Sequence, residues 1–310
     1  MQSGKMEHAL WGGTLAACLL LAPAATNAAD APQSPPKPRM LAGAAPVNTM
    51  VSGGGTIAKG TLLTQLNFSY RDKDDIVEDA GAGARTSSQL VSLLKLRYGM
   101  TDNLEVLFVP GYVYNHRDAF GAVGSDHLEG PNDHKLALNW GPWQQKQGDP
   151  ISVILSLGVN LPTGQSGAKH PVGNDVWSYN ASVGITKIWP SRQRIDAAVT
   201  LTQPTQTGNQ GVRKDTSYTL AGRYLYIFNE YFDMGLEFTV EKVEDWERGG
   251  VSMNNGYTEI YAGPAMNFSM PKWNAWVGLG AYFPVMRDYD APTATDDIRF
   301  DFKLGKRFSW

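Results

Sequence analysis

The last thirteen residues, Ile298 to Trp310, alternate. Ile298, Phe300, Phe302, Leu304, Phe308 and Trp310 are apolar; Arg299, Asp301, Lys303, Gly305, Arg307 and Ser309 between them are charged or small, and Lys306 alone interrupts the apolar series. A β-strand sends successive side chains to opposite faces, so this segment carries one oily face and one charged face. A strand with aromatics on one side and ions on the other suits the closing strand of an outer-membrane barrel, where lipid meets the first face and a polar lumen the second. In that reading Phe308 and Trp310 form the C-terminal signal for the barrel-assembly machinery. The competing reading is an edge strand of a soluble all-β domain, and the rest of the chain weighs against it.

From Gly60 onward the same alternation recurs. Apolar series run Leu62 to Tyr70, Leu90 to Tyr98, Leu104 to Phe108, Leu136 to Trp140, Ile151 to Leu161, Trp177 to Ile185, Ile195 to Leu201, Tyr218 to Tyr226, Phe232 to Val240, Ile260 to Phe268 and Trp273 to Phe283. With the terminal strand these predict about twelve strands, an even number, joined by connections that are alternately short and long. Short links such as Gly99–Asn103, Trp189–Arg192 and Met270–Lys272 predict periplasmic turns, and Gly with Asn/Asp in the first predicts left-handed backbone there. Long polar links predict extracellular loops, with 115–131, 163–175 and 241–254 forming the mouth. The predicted fold is all-β: a transmembrane antiparallel up-and-down barrel over residues 59–310. Closure follows from physics, because a sheet in lipid must pair every backbone group.

Parity along these strands assigns two faces. Leu, Val, Ile and Phe face lipid, with Trp140, Trp177, Tyr179, Tyr224, Tyr226, Trp273 and Trp310 toward strand ends, where rings with a polar tip suit the headgroups. The lumen side carries Lys95, Arg97, Glu105, Lys135, Asp196, Arg223, Asp233, Glu237, Glu259, Arg299, Asp301 and Lys303. Two readings stand side by side. These ions are a structural network that fills a narrow barrel, or they line a solute path and select what passes.

Residues 1–28 read as a secretory signal: Lys5 precedes an apolar run from Ala9 to Ala25, and Thr26-Asn27-Ala28 and Asn27-Ala28-Ala29 both offer a small-residue cleavage site. Leu15-Ala16-Ala17-Cys18 also offers a lipidation box, against which the continuing Leu19-Leu20-Leu21 argues. Cys18 is the single cysteine, so the secreted chain is expected to lack disulfides and thiolate metal sites. Residues 29–58, rich in Pro, Ala and Gly without periodicity, read as a flexible periplasmic leader.

A net charge of −3 is too balanced for a nucleic-acid partner. No phosphate loop, zinc spacing or calcium loop is present, so no cofactor and no metal are expected. Of the five histidines only His134 falls on a strand. Ser152, on the next strand, faces the other side by parity, and no Gly-x-Ser-x-Gly occurs, so an enzyme is not expected.

Several stretches resemble outer-membrane proteins of the phenol-degradation meta-pathway family, often labelled simply transporters. The resemblance rests on Ile57-Ala58-Lys59-Gly60, on Leu96 to Glu105, on Gly158-Val159-Asn160-Leu161-Pro162-Thr163-Gly164, and on Gly130-Pro131-Asn132-Asp133, where Pro131-Asn132 departs from the family's Gly-x-Gly-Asp. It covers most of residues 46–310. It implies kinship in kind with fatty-acid and toluene channels, hence an outer-membrane channel for passive uptake of a small hydrophobic or aromatic solute. It supplies no catalytic or binding residue. The alternative is a structural or adhesive barrel with a plugged lumen and functional loops.

Overall fold

The computed structural model describes residues 54–309, apart from 74, 77–85, 119–123, 165–171, 174–175, 206, 209–210 and 291–293. The signal segment, Cys18, most of the leader, parts of two mouth loops and Trp310 lie outside the described residues. Twelve antiparallel strands close into one barrel: β1 (Thr61–Lys73), β2 (Ser87–Gly99), β3 (Leu104–Arg117), β4 (Asp126–Trp143), β5 (Ser152–Leu161), β6 (Ser178–Ile188), β7 (Gln193–Pro204), β8 (Ser217–Ile227), β9 (Phe232–Val243), β10 (Tyr257–Met270), β11 (Ala275–Tyr289) and β12 (Ile298–Ser309). Each pairs with its sequence neighbour, and β12 returns to β1 in register from Thr61–Ser309 to Asp72–Ile298. The alternating C-terminal segment is thus the closing strand, joining β11 on one side and β1 on the other.

One end of the barrel carries the short turns and the other the long loops. The loops build small sheets of their own: Val212–Arg213, Glu247–Arg248 and Val251–Ser252 form one, and Ala294–Thr295 with Asp75–Ile76 a second. The Gly99–Asn103 turn departs from expectation. None of its residues has a positive φ; Met100 and Thr101 donate their N–H groups to Leu104 O, and Asn103 N–H bonds the Thr101 hydroxyl. A side chain closes this turn, and the left-handed residues among the short turns sit instead at Gly148, Arg192 and Asn274.

The outer face follows the predicted parity. Exposed rings gather in two belts, Tyr98, Trp140, Trp143, Tyr226 and Trp273 at the turn end and Tyr70, Tyr114, Trp177, Tyr179 and Tyr218 at the loop end. Phe308 is outward beside Leu62. The inner face is less uniformly polar than expected. Leu63, Leu107, Val109, Leu225 and Trp276 are buried inside together with the ions. The Trp276 ring lies across Gly305 of β12, where any Cβ would collide with it. The sole interior apolar packing of this kind that involves residues ahead of β1 is Ile57 with Leu63 and Trp276, among the described residues.

Candidate functional site in the lumen

Eleven of the twelve predicted lumen residues are buried within the barrel; Asp233 is half-buried and accepts a hydrogen bond from Asn267 Nδ2 at 2.6 Å. The strands bring the buried eleven into distinct groups at different heights. The grouping depends on closure, because it joins strands far apart in sequence.

At the turn end, Arg97 of β2 forks onto Glu105 of β3, with Nε to Oε1 and Nη2 to Oε2 both 2.8 Å. Asn139 of β4 adds a 2.8 Å bond to Oε1. Glu105 is fully buried, so a bidentate guanidinium and an amide are what makes its charge tolerable there. Its Oε2 also receives Ile57 N–H at 3.0 Å. That contact belongs to a strap of chain, residues 54–59, of which 54–58 are the tail of the stretch read as a leader. Thr56 N–H bonds Gln144 Oε1 at 3.0 Å, while Gln144 Nε2 donates to Gly54 O at 3.0 Å. Arg97 Nη2 donates to Gly55 O at 2.9 Å and Lys146 Nζ to Thr56 O at 2.9 Å. Gly54 N–H reaches the Thr186 hydroxyl of β6 at 2.8 Å. The strap therefore spans from β1 to β6 across the inside of the turn end, with most of these backbone groups held by the buried side chains of Gln144, Arg97, Glu105 and Thr186.

Thr186 links the strap to a second group. Its hydroxyl donates to Asp196 Oδ1 at 2.5 Å, and Asp196 also takes Arg194 Nη2 at 2.8 Å and Arg223 Nη2 at 2.6 Å. Glu237, across from Arg223 on β9, accepts from Tyr282 Oη at 2.7 Å. At the loop end, Asp296 from the β11–β12 loop points inward and is nearly fully buried. It takes Tyr261 Oη at 3.0 Å and Arg299 Nη2 at 3.3 Å, with Lys73 at 3.5 Å and Arg71 at 3.8 Å. Arg299 also pairs with Glu241 at 3.2 Å and lies 4.0 Å over the Tyr261 ring. Glu259 faces Arg287 at 3.9 Å. Lys95, Lys135, Lys303 and Asp301 are the other predicted lumen residues, all buried.

Sequence parity placed these residues but missed their partners. Gln144, Asn139, Thr186, Arg194, Tyr261, Tyr282 and Asp296 were not singled out. The inward parity of Asn139 and Thr186 was available as a signal; nothing in the sequence announces that a loop aspartate folds inside.

The outer wall carries a groove of about 380 Å³ lined by Phe68, Tyr70, Leu90, Met266, Leu279, Phe300 and Phe302, with Gly280 and Asp301 among its lining residues. Above it β11 is held on one side only: its pairs with β12 end at Tyr282–Arg299, while those with β10 run on to Tyr257–Tyr289. His134 packs edge-on against Phe108 on the outer face, and Ser152 accepts Gln145 N–H at 2.9 Å near the turn end. They pair with opposite ends of the neighbouring strands, His134 with Leu161 and Ser152 with Thr186, and do not meet.

A structure titled the COG4313 outer membrane channel from Pseudomonas putida F1 aligns with TM-score 0.66 at 12% identity, over 82% of this chain and 98% of that one. The P. putida toluene transporter TodX (TM-score 0.45, 9% identity, 82% and 91% covered) and a Pseudomonas aeruginosa FadL homologue (0.41, 10%, 83% and 96%) align less well. Among curated proteins none is matched. The likeness to the COG4313 channel is one of fold, and it is the fold of an outer-membrane barrel. Residues 50–294 match the family described as "Putative MetA-pathway of phenol degradation", and the chain belongs to that family.

Proposed function

We propose that this protein is an outer-membrane channel for the passive uptake of small hydrophobic or aromatic compounds, delivered to the outer membrane of a Gram-negative bacterium by its N-terminal signal segment and assembled through the C-terminal strand that carries Phe308 and Trp310. In this reading the turn end faces the periplasm and the loop end the exterior. The observation that carries it is the apolar groove at Phe68, Phe300 and Phe302, whose back wall reaches Gly280 and Asp301 of the inward-facing row. An uncharged aromatic solute dissolved in the outer leaflet meets matching rings there, and the residues bearing on it separate lipid from lumen by one strand's thickness. Liposome swelling with aromatic solutes, together with planar-bilayer conductance, tests the proposal. Swelling with an aromatic solute is expected, and Phe302→Ala is expected to reduce it severalfold. No permeability by either measurement removes the transport claim.

The second reading, a structural barrel with a plugged lumen, draws on the strap at the turn end and the Asp296 network at the loop end. A variant with loop 244–256 shortened separates the two: retained flux counts against a purely loop-based function.

A further inference from the structure

We propose that a row of hydroxyl and amide groups on the inner wall, centred on Ser182 and Thr200, forms a path through the barrel for small uncharged solutes rich in hydroxyl groups. The path is separate from the apolar groove on the outer wall and does not depend on it.

Register sets the row. Asn139 of β4, Ser156 of β5, Ser182 of β6, Thr200 of β7, Thr219 of β8 and Glu241 of β9 are successive partners across neighbouring strands. Directly opposed side chains of antiparallel strands share a face, with Cβ atoms about 5 Å apart. Each strand therefore offers one polar group within a short step of the next. Strands tilt in a barrel, so a row that crosses them also climbs the wall. At its foot Asn139 bonds Glu105 of the turn-end group, and at its head Glu241 pairs with Arg299 of the loop-end group. The row thus joins the two ends of the lumen.

Two observations point to a ligand. Asn139 Oδ1, Ser182 Oγ and Thr200 Oγ1 have no hydrogen-bond partner among the described residues, although their residues are only 2%, 6% and 8% exposed. Ser182 and Thr200 stand directly opposite each other and do not bond. One row nearer the loop end, the same wall completes its contacts: the Thr202 hydroxyl donates to Asn180 Oδ1 at 2.8 Å, and Asn180 Nδ2 donates to Asn160 Oδ1 at 3.0 Å. A buried polar group without a partner costs free energy, and a solute hydroxyl, able both to donate and to accept, offsets that cost. The second observation is the character of the wall. One row nearer the turn end, Gly184 and Ala198 pair directly beneath Ser182 and Thr200, so no large side chain stands there. From that row to the loop end the inner faces of β5, β6 and β7 carry no ion. An ion stripped of water has no counter-charge on this wall, whereas an uncharged polyol finds a partner at each step.

The test reconstitutes the full chain in liposomes and follows swelling in isosmotic erythritol. Entry of erythritol is expected. Ser182→Ala combined with Thr200→Val removes both hydroxyls and adds no bulk. A pore that acts by size alone would then admit erythritol as fast or faster; the row requires entry to slow about threefold or more. Ser182→Ala combined with Thr200→Ser is expected to recover part of the rate. No swelling in erythritol, or swelling undiminished in the Ala/Val variant, overturns the proposal. Should that variant fail to fold, the unaltered protein decides between erythritol and glycine betaine, a solute of similar size without a hydroxyl donor: faster entry of erythritol supports the row, and equal or slower entry overturns it. Erythritol entry without aromatic flux removes the aromatic reading and keeps the row; aromatic flux without erythritol entry does the reverse.

Discussion

The two ends of the barrel are each tied together from within, by different means. At the turn end a piece of chain lies across the opening, and its N–H and C=O groups are held by Gln144, Arg97, Glu105 and Thr186, all buried. The central ion pair there is bidentate at 2.8 Å. At the loop end one side chain, Asp296, gathers the contacts: Tyr261 and Arg299 are buried at 3.0 and 3.3 Å, but Arg71 and Lys73 stand off at 3.8 and 3.5 Å and are 20% and 31% exposed. A buried, geometrically ideal pair is expensive to break because the survivor is left as an orphan charge. Long pairs open to solvent contribute little each and separate easily. The turn end therefore behaves as a fixture of the fold, and the loop end as the network that yields first.

Four substitutions sharpen or break this contrast. Glu105→Ala strands the Arg97 guanidinium, Asn139 and the Ile57 N–H together, and should destabilise the barrel by about 3–5 kcal/mol. Heat-modifiability on a gel, with folded and boiled forms running apart, reads this as a lowered transition temperature. A shift no larger than that of Asp296→Asn would erase the distinction. Gly99→Val is next. Any Cβ at Gly99 collides with Ala58 O of the strap, so the strap must move. A cost of about 1–3 kcal/mol is expected, with raised single-channel conductance; unchanged conductance would show that the strap does not occlude.

Asp296→Asn keeps a group able to accept from Tyr261 and loses the ion pairs. It should cost about 1–2 kcal/mol yet raise solute flux in swelling assays. Flux left at the original level would place the barrier elsewhere. The smallest effect is expected for Lys73→Met, which removes one partly exposed pair worth roughly 0.5–1 kcal/mol. A loss as large as that of Glu105→Ala would mean that the loop end is as rigid as the turn end.

Much of the architecture was legible in the residues. Alternation from Ile298 to Trp310 identifies the closing strand, and the repeated series anticipates the twelve strands and their short and long links. Parity correctly turned Lys95, Glu105, Asp196 and Glu237 inward, because a period of two leaves no freedom about which face a residue occupies. The Gly99–Asn103 turn was misjudged, since a threonine hydroxyl did the work assigned to left-handed backbone. Leu63 and Trp276 also went unforeseen: a lumen was expected to be polar, whereas a narrow one needs bulk wherever no water is held, and Trp276 supplies it over Gly305. The strap was read as part of a free leader. Ser52 to Lys59 has no periodicity, so no local pattern announces that its backbone donors meet Gln144 just past β4 and Thr186 on β6, 88 and 132 residues away in sequence.

By itself the sequence determined the strand series, the two faces and the inward direction of the ions, because these depend on neighbours within a few residues. Which ions meet, what crosses the turn end and where Asp296 lands were settled only when β12 returned to β1. Closure brings residues such as Arg299 and Glu241, or Gly54 and Thr186, into contact, and such pairings depend on the ring's circumference and tilt, which no local periodicity encodes.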